Sequence, residues 1–145
     1  MISKSNIEIV QQYWFSIAGR GDEIAASFYQ ELFEKYPEYR SHFQNNVEEQ
    51  QEKFIRMINI VINGIEVWDL IEPEVVKLGQ LHAAIADFGI KDYQNVVNTL
   101  FAVMERYRGY EDERATEAWS NLFGIISETM IKAADEFLSE NKTGS

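Results

Sequence analysis

Cysteine is absent from this chain of 145 residues, and its absence excludes several kinds of chemistry together. Without thiolates the protein forms no disulfide bond and holds no zinc–thiolate or iron–sulfur site. A cysteine-free sequence also fits a reducing compartment. Because residues 1–6 contain no apolar signal segment, we expect a cytoplasmic protein.

Basic residues and long apolar runs are also scarce. The chain has 13 basic and 24 acidic residues, which gives a net charge of -11, and the pair Arg106 and Arg108 is followed at once by acidic residues. Phosphate backbones and anionic lipids would repel such a surface, so we expect neither a nucleic acid nor a membrane as a partner. The longest apolar stretch, residues 58–67, is interrupted by polar residues and glycine and is too short for a membrane span.

Glycine and proline are few as well, with eight and two residues. Apolar residues recur at spacings of three and four along most of the chain, which predicts an all-α protein of six or seven helices. Asn63-Gly64 between β-branched residues is a hairpin signal, but an isolated hairpin is marginal in water, and we therefore predict a helix there. We expect one domain over residues 1–145, with 140–145 as a frayed tail.

Local signals place the ends of these helices. We predict a helix from a capping box at Ser5, one capped by Asp22, a turn opened by Pro37, a polar link over 44–51 and a helix opened by Pro73. The remaining two helices are predicted over residues 91–107 and roughly 114–139.

Two histidines, His42 and His82, remain as candidate functional residues. No histidine follows a glutamate at the spacing of a di-iron site, and Gly19-Arg20-Gly21 follows a helix instead of a strand, so it is a turn. His42 lies in a polar turn and is interpreted as a solvated residue. His82 shares a helix face with Leu78, and its ring can bond a backbone carbonyl near residue 78 and bind a metal with its other nitrogen. The alternative is a core histidine without a metal.

Three segments carry a resemblance to a known family. They are Phe28 to Arg40 followed by Phe43, then Leu78-Gly79-Gln80-Leu81-His82, and finally a segment of the last helix that begins at Ala118-Trp119 and ends at Met130-Ile131. In this order and separation, over about Ile9 to Leu138, the chain resembles the bacterial single-domain globins. It is most similar to the haem domain of flavohaemoglobin-type globins without the reductase.

The resemblance implies a globin fold of six to eight helices around a pocket for haem b. His82 would be the proximal ligand of the iron and would leave the sixth position open. Tyr29 corresponds to the distal tyrosine. Gln50 is the candidate for the second distal residue because it shares a helix face with Phe54, and Gln51 is the alternative register.

The resemblance also implies how the porphyrin is held. Phe43 would wedge against the ring, and Lys53 would pair with a propionate at the rim. Further apolar residues are candidate walls of the pocket: Phe54, Ile58, Leu78, Leu81, Ile85, Val97, Leu100 and Phe101. The carboxylate that flavohaemoglobins carry near the proximal ligand falls at Ala134, with Asp135 and Glu136 on other faces, so peroxidase-like chemistry is not expected.

These implications lead to one leading function and two alternatives. We expect reversible binding of dioxygen, NO or CO, as in oxygen transport, with NO dioxygenation as an accessory activity supported by an external reductase. The alternatives are a globin-type gas sensor and a haem-free globin-like module that binds another protein.

Overall fold

Six α-helices form the described part of the chain in a computed structural model, which describes residues 2–42, 47–83, 88–109 and 111–143. Their bounds are α1 Lys4–Ile17, α2 Gly21–Lys35, α3 Val47–Gly64, α4 Trp68–Ala83, α5 Ile90–Arg108 and α6 Glu113–Thr143. Three short 3-10 helices add Ala18–Arg20, Pro37–His42 and Ile65–Val67. No strand occurs within these ranges, so the all-α prediction is confirmed and the hairpin alternative at the end of α3 is wrong.

The starts of α1 and α2 differ from the predicted ones. Ser3, not Ser5, caps α1, because the Ser3 hydroxyl accepts a hydrogen bond from the backbone N–H of Asn6 at 3.1 Å. The α2 helix begins at Gly21, so Asp22 lies inside its first turn and does not cap it. A carboxylate in that turn still favours the helix, because it faces the positive end of the helix dipole.

Three further boundaries differ from the predicted ones. The α3 helix begins at Val47, so the second half of the predicted polar link is already helical. The α4 helix begins at Trp68, and Pro73 lies inside it. Pro73 has no N–H to donate, but Ile71 and Val75 on either side are buried in the core, and this packing keeps the helix continuous. The α6 helix extends to Thr143, into the stretch expected to be frayed.

Aromatic residues of α1 and α6 form much of the core. Trp14 and Trp119 are almost fully buried, and the Trp119 ring meets Tyr13 edge-on with ring centroids 5.4 Å apart. The indole N–H of Trp14 donates to the side-chain oxygen of Asn59 in α3 at 2.7 Å. These contacts fix α1 between α3 and α6.

The crossing of α4 and α6 is very close at Gly79. A Cβ atom at this position would lie 2.6 Å from the carbonyl oxygen of Met130 and 2.7 Å from its Cα. Only glycine therefore allows the two backbones to approach this far. Since Gly79 is one turn before His82, this contact sets where His82 lies in the fold.

The other helices surround this pair. The α2 helix packs against both α3 and α5, and α3 also contacts α4. No helix in the described ranges combines the length and hydropathy that a membrane span requires.

Candidate functional site

His82 lies in the last turn of α4 with a partly buried ring. Its Nδ1 is 2.8 Å from the carbonyl oxygen of Leu78, as the sequence suggested. A carbonyl only accepts, so Nδ1 carries the proton and Nε2 keeps its lone pair. Burial lowers the pKa of His82 from its usual 6.5, against the opposing effect of the Leu78 hydrogen bond. The ring is therefore neutral at pH 7, which is the form that binds a metal.

Two aromatic rings, one just before α5 and one in its first turn, lie beside His82. The Phe88 ring centroid is 5.4 Å from that of His82, and the Tyr93 centroid is 6.0 Å away. Phe88 and Tyr93 also pack edge-to-face at 4.9 Å. The two rings form an apolar environment that restricts the orientation of the imidazole.

A carboxylate influences this cluster, and sequence reasoning did not place it there. Burial and, after it, the negative charge of Asp135 raise the pKa of Tyr93 to about 12. Asp135 had been assigned to another face of α6 because the family's carboxylate position falls at Ala134. Its negative charge nevertheless influences Tyr93, which adjoins His82.

Tyr29 is the centre of a second cluster on α2 and α3. It is 4% exposed, and Phe28, Phe33 and Phe54 lie around it with ring centroids 5.0, 5.8 and 5.6 Å away. Burial raises the pKa of Tyr29 to about 12, although a hydrogen bond with the Gln50 side chain acts in the opposite direction. The phenol is thus protonated at neutral pH and can act as a hydrogen-bond donor in a dry environment.

Gln50 belongs to the same cluster. It lies in the first turn of α3, is partly buried, and hydrogen-bonds the Tyr29 side chain. One turn later Phe54 stacks on Phe28 with centroids 4.7 Å apart. The structure therefore brings together three of the predicted residues, namely Tyr29, Gln50 and Phe54.

The other predicted residues are placed differently. Lys53 is largely exposed, with its Nζ 3.6 Å from the Glu49 carboxylate. Leu78 packs against the core, but Leu81 is 63% exposed, so the packing gives no support to its assignment as a pocket wall. The reason is helical phase, since Leu78 and His82 share a face and Leu81 is rotated by about 100° from His82. Phe43 and Ile85 lie outside the described residues.

Sequence reasoning missed a polar network beside His82. The Tyr39 hydroxyl donates to the Asp92 carboxylate at 2.5 Å and accepts from the Asn95 side-chain amide at 3.1 Å. The other Asp92 oxygen accepts from the Gly89 backbone N–H at 2.8 Å. The pattern Gly89-x-x-Asp92 was a readable capping signal, but nothing local pointed to Tyr39.

This network connects the turn after α2 to the His82 cluster. Tyr39 is buried, and burial together with the Asp92 hydrogen bond raises the pKa of Tyr39 to about 12. Its ring lies 6.3 Å from that of Phe88, which in turn packs on His82. Pro37–His42 is thereby held against the start of α5.

The donor set fits haem better than a free metal ion. Within the described ranges no three metal-ligating side chains are grouped together. A single neutral imidazole whose other nitrogen is committed to a carbonyl is the ligand that suits a metal brought by an organic ring. The aromatic rings of Phe88 and Tyr93 lie beside it, and such an apolar neighbourhood is compatible with a porphyrin.

Comparisons with known proteins agree with this fold. The chain superimposes on a bacterial globin from Campylobacter jejuni with a TM-score of 0.78 over 94% of this chain and 99% of that chain, at 22% identity, which establishes the globin fold. The sequence model described as Globin matches residues 26–130. An uncharacterized globin-like protein of Aquifex aeolicus is 22% identical over 140 residues, covering 97% of this chain and 99% of the relative. The chain belongs to the globin family.

Proposed function

We propose that this globin binds haem b through His82 and uses it to bind dioxygen, NO or CO reversibly. The observation that carries the proposal is the Nδ1–H of His82, held at 2.8 Å on the Leu78 carbonyl, in a ring that burial keeps neutral. Bound haem would supply an iron centre that takes a diatomic gas at its free coordination position.

The chain's own contribution on this side is orientation. The Leu78 carbonyl fixes the tautomer of His82, so that Nε2 is the nitrogen offered to the iron. Phe88 and Tyr93 restrict the tilt of the ring. The glycine contact at Gly79 determines the height of this turn relative to α6.

The Tyr29 cluster supplies the distal donor in this proposal. A phenol O–H in a dry aromatic surrounding stabilises a ligand atom that carries partial negative charge by about 1.5–3 kcal/mol. Gln50, which hydrogen-bonds Tyr29, orients that hydroxyl. The pair supports the finer assignment to flavohaemoglobin-type globins.

The remaining assignments follow from the resemblance. Phe43, Phe54, Leu78 and Ile85 would contact the porphyrin, with Leu81 at the exposed edge and Lys53 near a propionate. The Tyr29–Gln50 pair also favours NO dioxygenation as an accessory activity. It would require an external reductase, and the proposed location is the cytoplasm.

Reconstitution with haemin tests the proposal. The wild-type chain is expected to develop a strong Soret band and a ferrous–CO spectrum, which His82→Ala should lose. His42→Ala is the matched control, because His42 is exposed at the end of the turn after α2, and it should retain both spectra. A wild-type chain that stays colourless, or an unchanged spectrum in His82→Ala, would contradict the proposal.

A further inference from the structure

The Asp92 carboxylate joins two segments of the chain that lie beside His82. One of its oxygens accepts the Gly89 backbone N–H at 2.8 Å, and the other accepts the Tyr39 hydroxyl at 2.5 Å. The Tyr39 hydroxyl also accepts from the Asn95 side-chain amide at 3.1 Å. Tyr39 is 6% exposed, so water competes little for its bond to Asp92. Both carboxylate oxygens therefore hold donors that belong to the fold.

Hydrogen bonds hold the Gly89 backbone more than packing does. A Cβ atom at Gly89 would meet no atom of the described residues within 4 Å beyond its chain neighbours. The Gly89 carbonyl accepts the backbone N–H groups of Asp92 and Tyr93 at 3.0 and 3.2 Å, as the first turn of α5 requires. The bond from the Gly89 N–H to the Asp92 side chain adds a restraint on how the chain enters this helix.

Phe88 directly precedes Gly89, and its ring contacts the imidazole of His82. The Phe88 ring centroid lies 5.4 Å from that of His82 and 6.3 Å from that of Tyr39. Asp92 restrains the backbone next to Phe88 and also the Tyr39 ring beside it. The Phe88 ring is thus held from two directions while it packs against the imidazole.

The orientation of His82 depends on such a contact. Its ring bonds the Leu78 carbonyl through Nδ1 at 2.8 Å, and a single hydrogen bond leaves the tilt of the ring free. We propose that Asp92 is a positioning residue that acts on His82 through the Phe88 ring and fixes the direction in which Nε2 points. This inference rests on the proposed function, in which Nε2 binds the iron of haem.

Long-range ¹H–¹⁵N NMR of the haem-free chain tests the positioning without iron, at a pH where both imidazoles are neutral. The chain has only two histidines, so His42→Ala assigns the signals of His82. The wild type should show His82 predominantly as the Nδ1–H tautomer. Asp92→Asn offers one acceptor oxygen in place of two, so it should raise the Nε2–H fraction of His82 about threefold.

Asp112→Asn is the matched control. The Asp112 side chain accepts the backbone N–H of Arg114 at 3.0 Å and so caps the start of α6. The substitution removes the same charge from another helix start, and it should leave the tautomer ratio of His82 unchanged. An equal change in Asp112→Asn and Asp92→Asn would overturn the proposal.

Tyr39→Phe is the second test variant. It keeps the ring and removes one of the two bonds to Asp92, so it should raise the Nε2–H fraction of His82 in the same direction as Asp92→Asn but less. Circular dichroism verifies that each variant is folded. If Asp92→Asn unfolds, Tyr39→Phe carries the test, with Tyr36→Phe as its control.

A double-mutant cycle with haemin separates positioning from a purely structural role. Asp92→Asn should speed the transfer of haemin to a scavenging protein by about three- to tenfold, less than for a group bonded directly to the ligand. In the His82→Ala background it should change the rate by less than about twofold, because no imidazole is left to orient.

Two results would overturn the proposal. One is an equal effect of Asp92→Asn on haemin transfer in the two backgrounds. The other is a tautomer ratio of His82 that is mixed in the wild type or unaltered in Asp92→Asn. A wild-type chain that binds no haemin would contradict the proposed function, and the NMR comparison on the haem-free chain would still decide whether Asp92 positions His82.

Discussion

At the scale of single residues, the Tyr29 hydroxyl is the hydrogen-bond donor that the proposed function assigns to the bound gas. Tyr29→Phe keeps the buried ring and removes only the donor, so dioxygen should dissociate from the ferrous haem form faster, by about 10- to 150-fold for a loss of 1.5–3 kcal/mol. Stopped-flow displacement measures the rate. Tyr107→Phe, whose hydroxyl pairs with Ser27, is the control and should leave it unchanged. An unaltered rate in Tyr29→Phe would exclude the proposed role.

Tyr39 is the residue whose hydroxyl connects two segments of the chain. Tyr39→Phe removes the hydrogen bonds to Asp92 and Asn95 within a buried site and should lower the free energy of unfolding by about 1–3 kcal/mol. Urea denaturation measures this loss. Tyr36→Phe is the control. It removes a hydroxyl from a neighbouring, less buried ring and should lower the free energy of unfolding by less than about 1 kcal/mol. Equal losses in the two variants would argue against the network.

At the scale of helices, the crossing of α4 and α6 depends on Gly79. Gly79→Ala places a Cβ against the Met130 backbone and should destabilise the fold by about 1–3 kcal/mol, because two helices must move apart. Haemin affinity should fall with it, since His82 moves too. Gly124→Ala is the control: no atom beyond the neighbouring backbone of its own helix lies within 4 Å of its new Cβ, so it should stabilise α6 by about 0.5–1 kcal/mol. Thermal or urea unfolding compares the two, and a neutral Gly79→Ala would contradict the packing account.

A pair of charges joins α2 to α5. Both terminal guanidinium nitrogens of Arg106 donate hydrogen bonds to the Glu31 carboxylate, and this bonding lowers the pKa of Glu31 below its usual 4.5. A depressed carboxyl pKa contributes stability at pH values above the unfolded pKa, and that stability is lost as the pH falls through the folded pKa. Glu31→Gln should therefore cost up to about 1 kcal/mol at pH 7, given the exposure of Arg106.

The pH dependence of urea unfolding measures the contribution of the Glu31–Arg106 pair to stability. The wild type and Glu31→Gln should differ in urea midpoint at pH 7. This difference should disappear as the pH is lowered past the pKa of the Glu31 carboxyl. A difference that is constant with pH would show that the effect is not electrostatic.

At the scale of the whole molecule, apolar periodicity was sufficient to predict an all-α fold. The buried residues Ile24, Phe28 and Leu32 recur every four positions along α2, and this spacing is visible without knowledge of what they contact. Helix starts were less predictable, because Ser3 and Ser5 offer similar capping groups and the local sequence does not distinguish them. The start of α4 was also predicted wrongly. Ile71 and Val75 pack in the core and keep the helix continuous across Pro73, which the local sequence does not show.

The candidate site could be predicted only in part. The Leu78–His82 hydrogen bond follows from helical spacing, because its partners are four residues apart. The Tyr39–Asp92 bond joins residues 53 positions apart, and no local pattern records such a pairing. The influence of Asp135 on Tyr93 likewise depends on how α5 and α6 cross.

The most direct test of the central claim is chemical rescue of the proposed iron ligand. His82→Gly is reconstituted with haemin, and free imidazole is added while the Soret band and the ferrous–CO spectrum are recorded. If His82 is the proximal ligand, the variant alone should lose the wild-type spectrum and added imidazole should restore it. A His82→Gly protein that keeps the wild-type spectrum without imidazole would contradict the account.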